Sequence, residues 1–140
     1  MIETKELRIG NYFIGHDNKV FEWSLFHFAL LQNETGITLD EIIKEPISLT
    51  EDWLLRFGFE RVDTQFYKKE IGGNVFILVN YNKRSTGCFG AVTFETDLKE
   101  DSYVGHIKKR CKYIHELQNL YFSLTGEELK ELEVKPQTIN

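Results

Sequence analysis

Cysteine is scarce in this chain. The two it has, Cys88 and Cys111, cannot form the evenly spaced framework that staples small secreted domains, so no disulfide scaffold is expected. Proline is equally rare, at Pro46 and Pro136. With no Pro/Gly/Ser-rich tract and no repeat, nothing divides the sequence, and a single domain over residues 1–140 is expected. No apolar run approaches the roughly 20 residues of a membrane helix, so no membrane partner is expected. The opening MIETKELRIG is charged at once and lacks the apolar stretch of a secretory leader, which makes the cytoplasm the expected compartment. Catalytic signatures are missing as well. There is no Gly-x-Ser-x-Gly elbow, no Walker loop, no His-Glu-x-x-His and no Gly-x-Gly-x-x-Gly. No catalytic residue and no cofactor is expected on that basis, although an active site dispersed along a chain leaves no such signature.

What is present is enough for a folded core. The 140 residues are 41% hydrophobic and 28% charged, a globular balance rather than a disordered one. Eleven Phe stand against two Trp and six Tyr, which favours strands and aromatic packing. The net charge of −5 gives no general reason to expect nucleic acid or an anionic membrane as partner.

Local patterns predict the elements. Tyr12–Ile14 and Val20–Trp23 flank a Gly/His/Asp/Asn loop and read as a hairpin. Leu25 to Gln32 is apolar at both helical and strand spacing; Ser24 as a candidate N-cap tips it toward a short helix. A short element is expected at Leu39–Ile43, with Glu45 extended ahead of Pro46. Thr50 to Phe59 carries the clearest signal. Thr50 suits an N-cap, Glu51 and Asp52 suit the helix dipole, Gly58 suits the C′ position, and Phe59 can pack back on Leu54. Strands follow at Phe59–Val62 and Gln65–Ile71, with Gly72-Gly73 as a tight turn. The continuous run Val75–Val79 reads as a central strand covered on both faces. Cys88–Thr96 alternates, and Tyr103–Lys109 is a plausible last strand. A helix from Lys112 to Leu124 stops at Gly126, and Glu127 to Val134 could add a turn. In a 100° wheel its apolar arc holds Cys111, Tyr113, Ile114, Leu117, Leu120, Tyr121, Phe122 and Leu124, with Lys112, Glu116, Asn119 and Ser123 opposite. The expected fold is α+β: a mostly antiparallel sheet with a few helices packed on one face.

Three stretches, Glu6–Tyr12 (ELRIGNY), Pro46–Phe59 (PISLTEDWLLRFGF) and Tyr113–Leu129 (YIHELQNLYFSLTGEEL), resemble a family of small phage and prophage proteins from Bacteroidetes-type bacteria. They cover about a quarter of the chain and are spread over nearly all of it. The family more often has a second proline where this chain has Ser48. The resemblance brings no catalytic residue with it. It implies an intracellular protein of a mobile element, working near replication, recombination or host defence; a host or phage protein is the partner expected in that setting.

A few residues could carry chemistry. Cys111 and His115 are four apart, but two ligands do not make a zinc site; a buried thiol and a histidine at the helix rim are the ordinary reading, and no metal is expected. Gln118 falls inside the apolar arc, so its amide either clamps the helix to backbone or lines a pocket together with His115. Lys108, Lys109, Arg110 and Lys112 form the densest basic cluster, flanked by Tyr103, His106 and Tyr113. With Lys83 and Arg84 they could neutralise phosphates and stack bases. The plainer alternative is a solvated strand end whose charges protect an edge. The acidic stretch Glu34–Glu60 could imitate phosphates, or simply be solvated loop. The leading expectation is a non-enzymatic binding protein. A nucleic-acid-associated protein and a small-ligand protein or enzyme are the alternatives.

Overall fold

A computed structural model of the chain describes residues 2–32, 36–62, 66–72, 75–81, 89–96, 104–107 and 111–132. The elements run in the order β1 (Tyr12–Ile14), β2 (Val20–Glu22), α1 (Leu25–Gln32), α2 (Leu39–Ile42), β3 (Glu45–Pro46), α3 (Glu51–Arg56), β4 (Glu60–Arg61), β5 (Phe66–Gly72), β6 (Val75–Tyr81), β7 (Phe89–Thr96), β8 (Val104–Ile107) and α4 (Ile114–Thr125). A 3₁₀ turn at Thr4–Glu6 precedes them. The strands form two antiparallel sheets. One has the order β2-β1-β3 and the other β4-β5-β6-β7-β8. The fold is α+β.

The hairpin β1–β2 pairs Phe13 with Phe21 and turns at Asn18, which takes positive φ (64°) as asparagine can. Helix α3 starts and stops as its sequence directs. The Thr50 hydroxyl accepts from the Trp53 amide at 3.3 Å. At the other end Gly58 adopts φ +89°, and the amides of Gly58 and Phe59 donate to Leu55 and Leu54 carbonyls at 3.0 and 2.9 Å. That is a Schellman stop. The Lys69 ammonium adds a bond to the Phe57 carbonyl at 2.8 Å.

The larger core gathers Trp53 and Leu54 from α3 and Phe57 at its C-cap, Tyr67, Ile77, Val79 and Tyr81 from the five-stranded sheet, and Ile114, Leu117 and Tyr121 from α4. Strand β6 is central in that sheet, but its two faces differ. Ile77, Val79 and Tyr81 are buried while Leu78 and Asn80 are half-buried. Where its side chains are described, the run Val75–Val79 is fully buried on one face and partly covered on the other, at Leu78. The helices that share a core with the sheet do so through one face, and the apolar Leu78 takes the partly open side.

A second, smaller core joins Leu7, Phe13, Trp23 and Ile43, with Phe28, Leu31 and Leu39 against it. Helix α4 connects the two. Its Ile114–Leu117–Tyr121 side belongs to the larger core, while its other side receives the segment from Glu6 to Phe13. Three features differ from the helical wheel: a second covered side accounts for His115 and Asn119, while Phe122 lies outside both cores with the Arg8 guanidinium over its ring. His115 is buried at 1% exposure rather than lying at a rim, and Phe122 is 39% exposed although it falls inside the apolar arc. Asn119 is half-buried rather than solvated. The wheel assumes one covered side, and α4 has two.

Gly126 ends α4 with φ +74°. No further helical turn follows as far as Leu132. The segment is held by other means: Leu129 is buried, the Leu132 amide donates to Arg56 carbonyl at 2.8 Å, and the Glu131 amide donates to the Tyr12 hydroxyl at 3.2 Å. The chain entering α3 is tied to the chain entering α4 by a bridge at Ser48 and Tyr113. Its hydrogen bonds use the amides of Leu49 and Ile114.

Candidate functional site

Gln118 is fully buried and its amide is spent on backbone. Oε1 accepts from the Tyr12 amide at 2.9 Å, and Nε2 donates to the Gly10 and Leu129 carbonyls, each at 3.0 Å. One side chain thus joins β1, the turn before it and the C-terminal segment. Both of its donor hydrogens are used, so Gln118 acts as a clamp. Beside it, Asn119 Oδ1 accepts from Arg8 and Asn11 at 3.0 and 2.9 Å, and its Nδ2 donates to the Glu6 carbonyl at 2.7 Å. Arg8 continues the clasp, pairing with Glu128 and lying 3.9 Å over the Phe122 ring.

His115 sits between the rings of Phe13 and Tyr113, at 5.0 and 5.9 Å. Its Nε2 is 3.6 Å from Glu6 Oε1, too far for a good hydrogen bond. Neither ring nitrogen has a hydrogen-bond partner among the described residues. Burial pushes its pKa below the ordinary histidine value, against the opposing pull of Glu116 and Glu6. A cleft of about 380 Å³ lies nearby, lined by Lys5, Glu6, Arg8, Glu116, Asn119 and Ser123. Neither Gln118 nor His115 lines it. Its polar groups are committed elsewhere: Arg8 to Glu128, Glu116 to the Lys112 and Tyr113 amides, and Glu6 to the Glu3 amide. No group of three or more metal-ligating side chains occurs among the described residues.

Of the basic cluster, Lys112 is exposed, with its ammonium 5.4 Å from the Tyr113 ring centre. Tyr103, Lys108, Lys109 and Arg110, like Lys83 and Arg84, lie outside the described residues. Strand β8, which precedes the cluster, is an edge of the larger sheet.

Helix α1 is the feature to which the sequence assigned no site. Its sequence, LFHFALLQ, has no Asp, Glu, Lys or Arg. Phe28 and Leu31 face the smaller core, with Phe28 edge-on to Trp23 at 5.4 Å. The opposite side is also apolar, and it is open: Leu25 is 71% exposed and Phe26 66%, with Ala29 exposed one turn on. A helix that is hydrophobic all round belongs in an interior, yet no residue of α1 is buried. Single exposed apolar residues need no explanation, but a contiguous uncharged group on one short helix does. The signal was available in the sequence as a run with no charge from Trp23 to Gln32.

No helix among the described residues is long and apolar enough to cross a membrane. No family model, curated protein or solved structure matches the chain.

Proposed function

We propose that this chain is a binding protein without chemistry of its own, and that it contacts a host or phage protein through the outer face of α1. The observation that carries this reading is the exposed, uncharged surface of Leu25, Phe26 and Ala29. Two further observations support it. The buried polar side chains of α4 are engaged in internal bonds, as Gln118 is, or enclosed by rings, as His115 is. The cleft near them has its charged groups already paired. The phage and prophage setting rests on the three stretches quoted above.

The test is capture of a stoichiometric partner by the tagged full-length chain from infected or lysogenic cells. Leu25→Glu with Phe26→Glu should abolish capture. Val62→Glu, which places the same charge on an exposed apolar residue elsewhere, should leave it intact. Capture that survives the α1 substitutions, or a captured nucleic acid lost in high salt, would overturn the reading.

A further inference from the structure

We propose that Ser24 and His27 form a proton-operated cap that holds the first turn of α1 when His27 is neutral and releases it when His27 is protonated. This deepens the reading of α1 as a contact surface, and its consequence for binding rests on that reading.

The geometry is that of a capping residue. Ser24 precedes the helix, and its carbonyl accepts the amides of His27 and Phe28 at 3.1 and 3.3 Å. His27 is the third helical residue, the position from which a Glu or Gln reaches back to the N-cap amide. Here the imidazole does so. The Ser24 amide donates to His27 Nδ1 at 3.0 Å, and the Ser24 hydroxyl lies 2.9 Å from the same nitrogen. Because a backbone N–H can only donate, Nδ1 must be the unprotonated nitrogen, and the hydroxyl donates to it as well. The ring hydrogen is then on Nε2. The ring is held in place by a stack on Trp23 at 5.0 Å and contacts with Phe21 and Phe26 at 5.0 and 5.7 Å.

Protonation reverses this arrangement. A hydrogen on Nδ1 points at the Ser24 amide. The hydroxyl can rotate and accept it; the amide cannot. The new positive charge also faces the positive end of the helix dipole. The Trp23 and Phe21 rings can offer an imidazolium some cation–π attraction, but no carboxylate among the described residues faces it. Phe21, Trp23 and Phe26 are neutral, α1 has no acidic residue, and the Glu22 carboxylate on β2 pairs with Lys130 at 3.0 Å. On α2, Asp40 and Glu41 are exposed. Burial alone accounts for the lowered pKa of His27.

The other helix starts in this chain show the contrast. At α4 the same reach-back is made by Glu116 Oε1, which accepts the Tyr113 amide at 3.0 Å. At the 3₁₀ turn it is made by Glu6, which accepts the Glu3 amide at 2.6 Å. A carboxylate keeps its acceptor throughout the neutral range, whereas an imidazole loses it just below neutrality. Only α1 uses the titrating group among these, and α1 is the helix with the open apolar face. An eight-residue helix is marginal without its cap and its packing, so losing the first turn scatters Leu25 and Phe26.

The test is a pH titration of the full chain by ¹⁵N and ¹³C NMR between pH 8 and 5. The neutral His27 ring should carry its proton on Nε2. The Ser24 amide and the α1 Cα shifts should move toward coil values with one midpoint, shared with the His27 ring and below 6.5. His27→Gln, which keeps an acceptor that does not titrate, should hold α1 helical throughout. Helical Cα shifts that persist through the His27 transition, or a neutral ring protonated on Nδ1, would overturn the cap; the wild-type titration alone decides this if the variant misfolds. Partner capture should be lost over the same interval in wild type and kept in His27→Gln. Capture that persists while α1 loosens overturns the link to binding, whereas failure of the contact surface itself shows separately, as capture indifferent to Leu25→Glu with Phe26→Glu at pH 8.

Discussion

Single side chains decide how the N-terminal segment is held. Gln118 was legible as an anomaly, an amide within an apolar arc, but its partners were not. Tyr12, Gly10 and Leu129 reach it from other parts of the chain, and no local pattern encodes such contacts. Gln118→Leu leaves two carbonyls and one amide unpaired in the interior, and should cost roughly 3 kcal/mol in urea unfolding. A loss under about 0.5 kcal/mol would mean those groups find other partners, which exposed sites commonly do. His115 was misplaced because the wheel gave α4 one covered side. Its neutral form is favoured in the fold, and so is that of His27, since burial lowers both below 6.5. Between the folded values and 6.5 the unfolded chain binds more protons. Their contribution is therefore complete above pH 6.5 and is lost as pH falls through the folded values. His115→Phe gives up no hydrogen bond, so at pH 8 its stability should lie within about 1 kcal/mol of wild type. The acid-side loss, followed by unfolding at pH 8 and pH 5, should shrink in that variant.

Elements whose instructions are local were read correctly. Helix α3 carries its N-cap, its acidic first turn and its glycine stop within ten residues, and each does what its chemistry requires. The two positive-φ glycines that end α3 and α4 provide a graded test. Gly126→Ala meets open space, so only the left-handed backbone penalty of about 1–2 kcal/mol applies. Gly58→Ala adds a Cβ 2.8 Å from Lys69 Nζ and displaces the ammonium from the Phe57 carbonyl. It should be the more destabilising of the two by thermal unfolding, and equal losses would remove Lys69 from the helix stop. Strand β3 shows the opposite limit. It is two residues long and exists by pairing with β1, a contact set by distance in the chain. The sequence marked Glu45 as extended and could not say what it would pair with. Helix α1 was ambiguous in sequence because apolar residues occupy both of its sides. That ambiguity is what the proposed contact surface rests on, since a helix serving only the smaller core needs an apolar stripe and a polar back.

At the scale of the molecule, the chain is closed by long-range polar ties rather than by a second large core. Arg8 links the N-terminal segment to α4 and to Glu128, and Gln118 links the same three parts. Arg8→Ala leaves Glu128 partly buried without its partner. Hydrogen exchange should quicken together in residues 6–12 and 127–132, with β5 and β6 unchanged; quickening confined to residues 6–12 would show that the two segments are held independently. The α+β class was legible from strand spacing and hairpin turns. The division into two sheets with α4 serving both was not, because it depends on which strands meet. None of the clasp residues lies on α1, so the proposed contact surface can be tested separately from it. A photo-crosslinking amino acid in place of Ala29, on that face, reports contact directly in infected or lysogenic cells. A discrete crosslinked protein from position 29, and none from the same group at exposed Ser123 on α4, is the predicted result. No product from position 29, or the same product from both positions, would contradict α1 as the contact surface.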